Sequence, residues 1–233
     1  MLNFLGIGAQ KSGTSWLFNV LAEHPSIAFP GGKEVHFWDN YSNRGLGEYK
    51  QIFINDTIIN GDITPAYAFL PVDVIHKIYK LQPTLRLIYL IRNPVERAWS
   101  SARMALARSE MTHEEASDQW FIDHFKSKGS LARGDYESCI RNWCSVFPSN
   151  QLLVMPYELI GNNPTFLANT ILNHLGVKEF FEQSTHRSLN KKVFEGDGIP
   201  IRPTLLPVLQ DIYSRKIESL ETYLNEDLSI WKR

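Results

Sequence analysis

The 233 residues are enough for one sizeable core and short of two comfortable domains. A make-up of 43% hydrophobic and 21% charged residues is ordinary for a soluble globular chain, and no apolar stretch reaches membrane-spanning length. The net charge of -1 gives no case for nucleic acid, so any bound anion must be held by local groups. Met1 leads almost directly into an apolar run, so no signal peptide is expected and the cytoplasm is the expected compartment.

In chain order, Leu2–Ile7 reads as a strand and Thr14–Glu23 as a helix. A weaker strand at Ile27–Phe29, a firmer one at Thr57–Ile63 and a helix over Val72–Lys80 follow. The stretch at Leu85–Ile91 is apolar almost throughout, as a strand covered on both faces should be, and a helix over Val95–Ala107 comes next. Between Arg108 and Gly129 the chain is polar and mixed, with Trp120, Phe121 and Phe125 on a short helix-like stretch. That composition fits a lid or binding loop, and equally a solvated surface helix with core anchors. One helix is expected over Leu131–Phe147. It carries both cysteines, Cys139 and Cys144, whose separation of about 7.5 Å along a helix is beyond easy disulfide reach. A strand at Gln151–Met155 and helices at Pro164–Leu175 and Pro203–Leu224 complete the chain. The alternation predicts a single α/β domain over 1–233, three-layered, with a mainly parallel central sheet flanked by helices. Ligands of such sheets bind beyond the carboxyl ends of the strands.

Two loops at such ends carry chemistry. Behind the first strand, "GAQKSGTSW" places Lys11, Ser12, Gly13, Thr14 and Ser15 at the start of a helix, where unpaired N–H groups and a partial positive charge favour an anion. The ATP-type loop has its lysine after the second glycine; here Lys11 precedes Gly13, and no acidic residue ends "LRLIYLIR" to help hold magnesium. A phosphate-like group held without a metal is therefore expected. The fourth strand ends at Arg92. Asn93 is a good N-cap, Pro94 suits the first helical position, and Ser100 lies two turns further on. Arg92 suits a phosphate, or it pairs with a carboxylate such as Glu96. Both loops follow core strands, so one ligand with two separated anionic groups would explain both.

At these residues the chain resembles the sulfotransferase superfamily, whose enzymes use 3′-phosphoadenosine 5′-phosphosulfate (PAPS) and release adenosine 3′,5′-bisphosphate (PAP) without a metal. "QKSGTSWL" resembles the 5′-phosphosulfate loop and "LIYLIRNPVERAWS" the 3′-phosphate motif. "KEVHFW", "DITPAY", "ARGDYESCIRNWCSVFPSNQLLVMPYELI" and "ESLETYLNEDLSIW" resemble further stretches of the carbohydrate-type and bacterial branch. The resemblance implies the sulfotransferase variant of the P-loop NTPase fold. It puts Lys11 on the sulfate and its bridging oxygen, and Ser12, Gly13, Thr14 and Ser15 around the 5′-phosphate. Arg92 and Ser100 would take the 3′-phosphate. Trp16 is either near adenine or a core aromatic.

Sulfuryl transfer needs a group to take the acceptor's proton and a cation at the leaving oxygen. Lys11 fits the cation. Glu34 and His36, two residues apart on an extended segment, can share a side, and both are candidates for the base. The resemblance favours Glu34: in the carbohydrate-type branch the matching glutamate is the base, and the histidine used by the phenol and steroid branch has no counterpart in "DITPAY". In the competing reading Glu34 is an ion-pair partner of Lys33 or Lys11. Asp62, Thr64 and Tyr67 are expected to line the substrate side, although Thr64-Pro65 also reads as a strand-ending turn. Arg133 and Tyr136 match residues near the nucleotide or acceptor in relatives, with Asp135 competing as a helix start. Near the C-terminus "NKKVFEGDGIPIRPTLLP" departs from the family's basic closing loop; Lys191 and Lys192 supply charge there and Arg202 is its candidate for the nucleotide. The acceptor is expected to be a hydroxyl, less often an amine, of a carbohydrate, lipid or small metabolite. Rival readings are a phosphate-loop kinase and a non-catalytic nucleotide-binding protein of the same fold.

Overall fold

Five strands form one sheet in the computed structural model, which describes residues 1–43, 45–54, 58–179, 181, 189 and 198–232. They are β1 (Leu2–Gly8), β2 (Ile27–Ala28), β3 (Ile59–Ile63), β4 (Arg86–Ile91) and β5 (Leu152–Pro156). Their order is β2-β3-β1-β4-β5 and every pairing is parallel. Thr57, the expected first residue of β3, lies outside the described residues. In register, Leu5 faces Asp62 on one side and Leu87 on the other, so Gly8, Ile63 and Ile91 end their strands on the same edge.

The chain divides into two compact units, Met1–Ile91 with Arg141–Val193, and Arg92–Ile140 with Phe194–Arg233. The first holds the whole sheet. On one face Phe4, Ile63, Ile88 and Leu90 pack with Trp16, Leu17, Val20 and Leu21 of helix α1 (Thr14–Ala22) and with Leu167, Ile171 and Leu172 of a later helix, Pro164–His174. The alternate strand positions Leu5, Ile7, Leu87 and Tyr89 are equally buried, as a sheet covered on both faces requires. Each fully buried Leu or Ile contributes about 1.5–3 kcal/mol, so the apolar runs read from the sequence hold this unit together. Two further helices, α2 (Leu46–Ile52) and α3 (Val72–Leu81), precede β4.

In the second unit α4 (Pro94–Arg108) packs against α5 (Asp118–Lys126), α6 (Lys128–Gly134) and the long helix Leu206–Leu224. Phe121 and Phe125 of α5 are fully buried, so the mixed 108–129 stretch contains a helix with two core anchors. The single helix expected over Leu131–Phe147 is corrected to two, α6 and α7 (Tyr136–Cys144). Asp135 leaves helical geometry between them at φ -93 and ψ 71, and its carboxylate accepts from the Ser138 amide to start α7. Gly134 fits because a Cβ there would lie 2.5 Å from the Tyr213 ring. The last long helix begins at Leu206 rather than at Pro203. Among the described residues no helix is long and apolar enough to cross a membrane.

Candidate active site

The phosphate-type loop grows from the end of β1. The Ala9 amide donates to Leu90 O of β4 at 2.7 Å, and Ser12 N closes back on Ala9 O at 3.1 Å. Lys11 and Gly13 both adopt positive φ, 68° and 83°, which turns the chain sharply into α1. Glycine suits position 13, whose φ is left-handed, and a Cβ there would have to displace the tip of the Ile160 side chain, 2.3 Å away. The first N–H groups of α1 have no acceptor within the helix, so these donors are open to an acceptor from outside it. Ser12 is fully buried and its hydroxyl has no partner among the described residues. Trp16 stays in the core, where its indole donates to Leu189 O at 3.1 Å.

Glu34 and His36 come together. His36 Nε2 lies 2.9 Å from Glu34 Oε2, and His36 Nδ1 lies 2.7 Å from Asp39 Oδ2. The other oxygen of Glu34 accepts from Lys33 Nζ at 3.1 Å, and the same ammonium reaches Ser15 Oγ at 3.3 Å. Base candidates and phosphate-type loop therefore meet through one lysine. Glu34 is 30% exposed and so open to an incoming group.

Asp62, Thr64 and Tyr67, expected to line the substrate side, are all fully buried and bonded to one another. The Asp62 carboxylate accepts from Thr64 Oγ1 at 2.8 Å, Tyr67 OH at 3.0 Å and Tyr49 OH at 2.9 Å. Thr64 Oγ1 in turn accepts from the Val35 amide at 3.1 Å, and Tyr67 OH from the Phe37 amide at 3.0 Å. The three residues thus brace the segment that displays Glu34 and His36. Burial pushes the Asp62 carboxyl up to about 6, against the pull of its three donors. Burial and the Asp62 charge likewise raise the Tyr67 hydroxyl. The sequence reading missed Tyr49 and Asp39; an acid three residues past His36 was the available signal for the second.

In the second unit, Asn93 caps α4 by accepting from the Val95 amide at 3.0 Å, with Pro94 in the first turn. Arg92 donates to Glu96 through Nε at 3.1 Å and Nη2 at 2.8 Å, the pairing held open from sequence. Ser100 is half-buried on the same helix. Tyr136 OH donates to Arg92 O at 2.8 Å, so it supports the arginine's backbone. Arg133 donates to Gly129 O. Arg202 pairs with Asp118 at 2.7 Å and lies 4.8 Å over the Phe121 ring, so in this structure it fastens the chain to α5. Lys191 and Lys192 lie outside the described residues.

A sequence profile of the sulfotransferase domain matches residues 3–195. The chain belongs to the sulfotransferase family. A structure of a sulfotransferase from Alicyclobacillus acidocaldarius superposes with a TM-score of 0.77 at 24% identity, covering 100% of this chain and 99% of that one. A mouse sulfotransferase, SULT7A1, complexed with PAP gives 0.57 at 16% identity, over 96% and 88% of the two chains. Both show the fold, the P-loop-like parallel sheet of sulfotransferases. Among curated relatives, heparan sulfate glucosamine 3-O-sulfotransferase 6 of Mus musculus is 27% identical over 205 residues, 83% of this chain. The sulfotransferase chain described here spans 59% of that relative's length.

Proposed function

We propose that this chain transfers the sulfuryl group of PAPS to a hydroxyl, or an amine, of a carbohydrate, lipid or small-metabolite acceptor, with Glu34 as general base. The observation that carries this reading is the placement of a partly exposed carboxylate beside the phosphate-type loop, joined to it through Lys33. The loop residues Lys11, Ser12, Gly13, Thr14 and Ser15 cradle the donor's 5′ end, and no metal takes part. Arg92 and Ser100 bind the 3′-phosphate; for this Arg92 exchanges its pairing with Glu96 for a doubly charged ligand.

In the transfer, the acceptor oxygen attacks sulfur in line with the bond that joins sulfur to the 5′-phosphate. That bond breaks, its electron pair goes to the phosphate oxygen, and the acceptor proton goes to Glu34. Lys11 and the α1 N-terminus face the charge that develops on the leaving oxygen. His36, held by Asp39, fixes Glu34 from the far side. The heparan-type relatives make an amino-sugar hydroxyl the first acceptor to try.

The test is Glu34→Gln assayed for sulfate transfer from labelled PAPS to heparan sulfate, amino sugars and phenols, alongside PAP binding by calorimetry. Loss of turnover by roughly a hundredfold or more with PAP affinity retained is the expected result. Parent-like turnover in the variant would remove Glu34 from the role of base.

A further inference from the structure

We propose that Lys33 is a second donor-binding cation, which takes an oxygen of the donor's 5′ group and keeps the Glu34 carboxylate from repelling it. The inference rests on the donor reading above and extends it to a residue outside the phosphate-type loop.

Lys33 is delivered by a tight turn after β2, in which Gly32 N closes on Phe29 O at 2.9 Å and Gly32 takes a φ of 70°. A Cβ at Gly31 would stand 2.8 Å from Val35 Cγ2 and would have to displace it. The turn folds the lysine back over the start of α1, where its side chain is only 13% exposed. An ammonium has three N–H donors. One goes to Ser15 Oγ and one to Glu34 Oε1. Among the described residues the third has no protein acceptor.

An oxygen anion seated at the head of α1, against the Ser15 hydroxyl, lies within reach of that third donor. Lys33 bonds to Ser15 as a donor, which leaves the hydroxyl proton free to turn toward the same anion. The chemistry needs such a cation. Glu34 is an anion adjoining a site built for another anion, and two like charges at short range repel. The ammonium between them offsets that repulsion while it fixes the carboxylate's direction. Lys11 reaches the donor from the loop and Lys33 from the side of the base.

The experiment uses the full chain and two nucleotides as probes, PAP and adenosine 3′-monophosphate, which lacks the 5′ group. Calorimetric affinities are measured for the parent, Lys33→Met, Lys33→Arg and Lys33→Met/Glu34→Gln. Lys33→Met is expected to lose about tenfold in PAP affinity and to hold adenosine 3′-monophosphate within about threefold of the parent. Lys33→Arg keeps PAP binding within about threefold, and removing the Glu34 charge in the double variant recovers most of the loss. Unchanged PAP affinity in Lys33→Met, an equal loss for both nucleotides, or a double variant as weak as the single one would overturn the assignment. A parent that binds no PAP overturns the donor reading itself and this proposal with it; a parent that binds PAP while Lys33→Met binds equally well removes Lys33 alone.

Discussion

Tyr67→Phe tests whether the buried Asp62 cluster governs the segment that carries Glu34 and His36. Phenylalanine fills the same space, so the perturbation is confined to one hydroxyl. That hydroxyl donates to Asp62 Oδ2 at 3.0 Å and accepts from the Phe37 amide at 3.0 Å, and both contacts are buried. A buried amide left without its acceptor costs roughly 1–3 kcal/mol, and a hydrogen bond to a carboxylate contributes roughly 1.5–3 kcal/mol. Tyr49 still donates to the same carboxylate oxygen, so the second loss falls at the low end of its range. The sum is about 3 kcal/mol of stability. Urea unfolding followed by circular dichroism reads it directly. Turnover should fall further than PAP affinity, because the amides of 35–37 hold the base and not the nucleotide loop. A variant within about 0.5 kcal/mol of the parent would refute the assignment of Asp62, Thr64 and Tyr67 as supports.

The Asp62 carboxyl also gives a pH signature. Its folded value of about 6 stands above the reference of 3.8, so the folded chain binds this proton more tightly than the unfolded one. Its stabilising contribution is fully present below about pH 4 and is lost as pH rises through about 6, a swing of about 3 kcal/mol. Asp118 and Asp135, held low by hydrogen bonds and cationic partners, slope the other way, so the readout is the difference between the parent and Asp62→Asn. Between about pH 4 and pH 7 the parent should lose stability relative to the variant; parallel curves would contradict the burial argument. Arg92→Ala removes an exposed pair whose Glu96 is 52% exposed, so stability should change by no more than about 1 kcal/mol. Its PAP affinity should fall about tenfold or more, and an unchanged affinity would take Arg92 out of the phosphate site.

What the sequence revealed was whatever depends on local pattern. The apolar runs at β1 and β4 announce strands covered on both faces, and Asn93-Pro94 announces a helix start, because burial and capping leave their mark in a few adjacent residues. The glycine and lysine order of the first loop carries the proposed anion site for the same reason. Contacts between distant segments were less legible. Asp62 stands out in the sequence because it lies one residue before the end of β3, whereas its partners Tyr49 and Tyr67 are joined to it by no local pattern. Trp16 at a helix start is equally consistent with a ligand face and a core face until Leu189 takes its indole proton. The break at Asp135 hides inside a helical pattern, since what it needs is space beside Tyr213 and an aspartate to begin the next helix.

The central claim is that the loop from Lys11 to Ser15 serves an adenosine donor with no metal. Calorimetric titration of the parent and Lys11→Ala with PAP in EDTA tests it most directly. Saturable one-to-one binding by the parent, with an affinity that Lys11→Ala lowers, is the expected result. No binding of PAP, together with ATP binding that appears only when magnesium is restored, would contradict it.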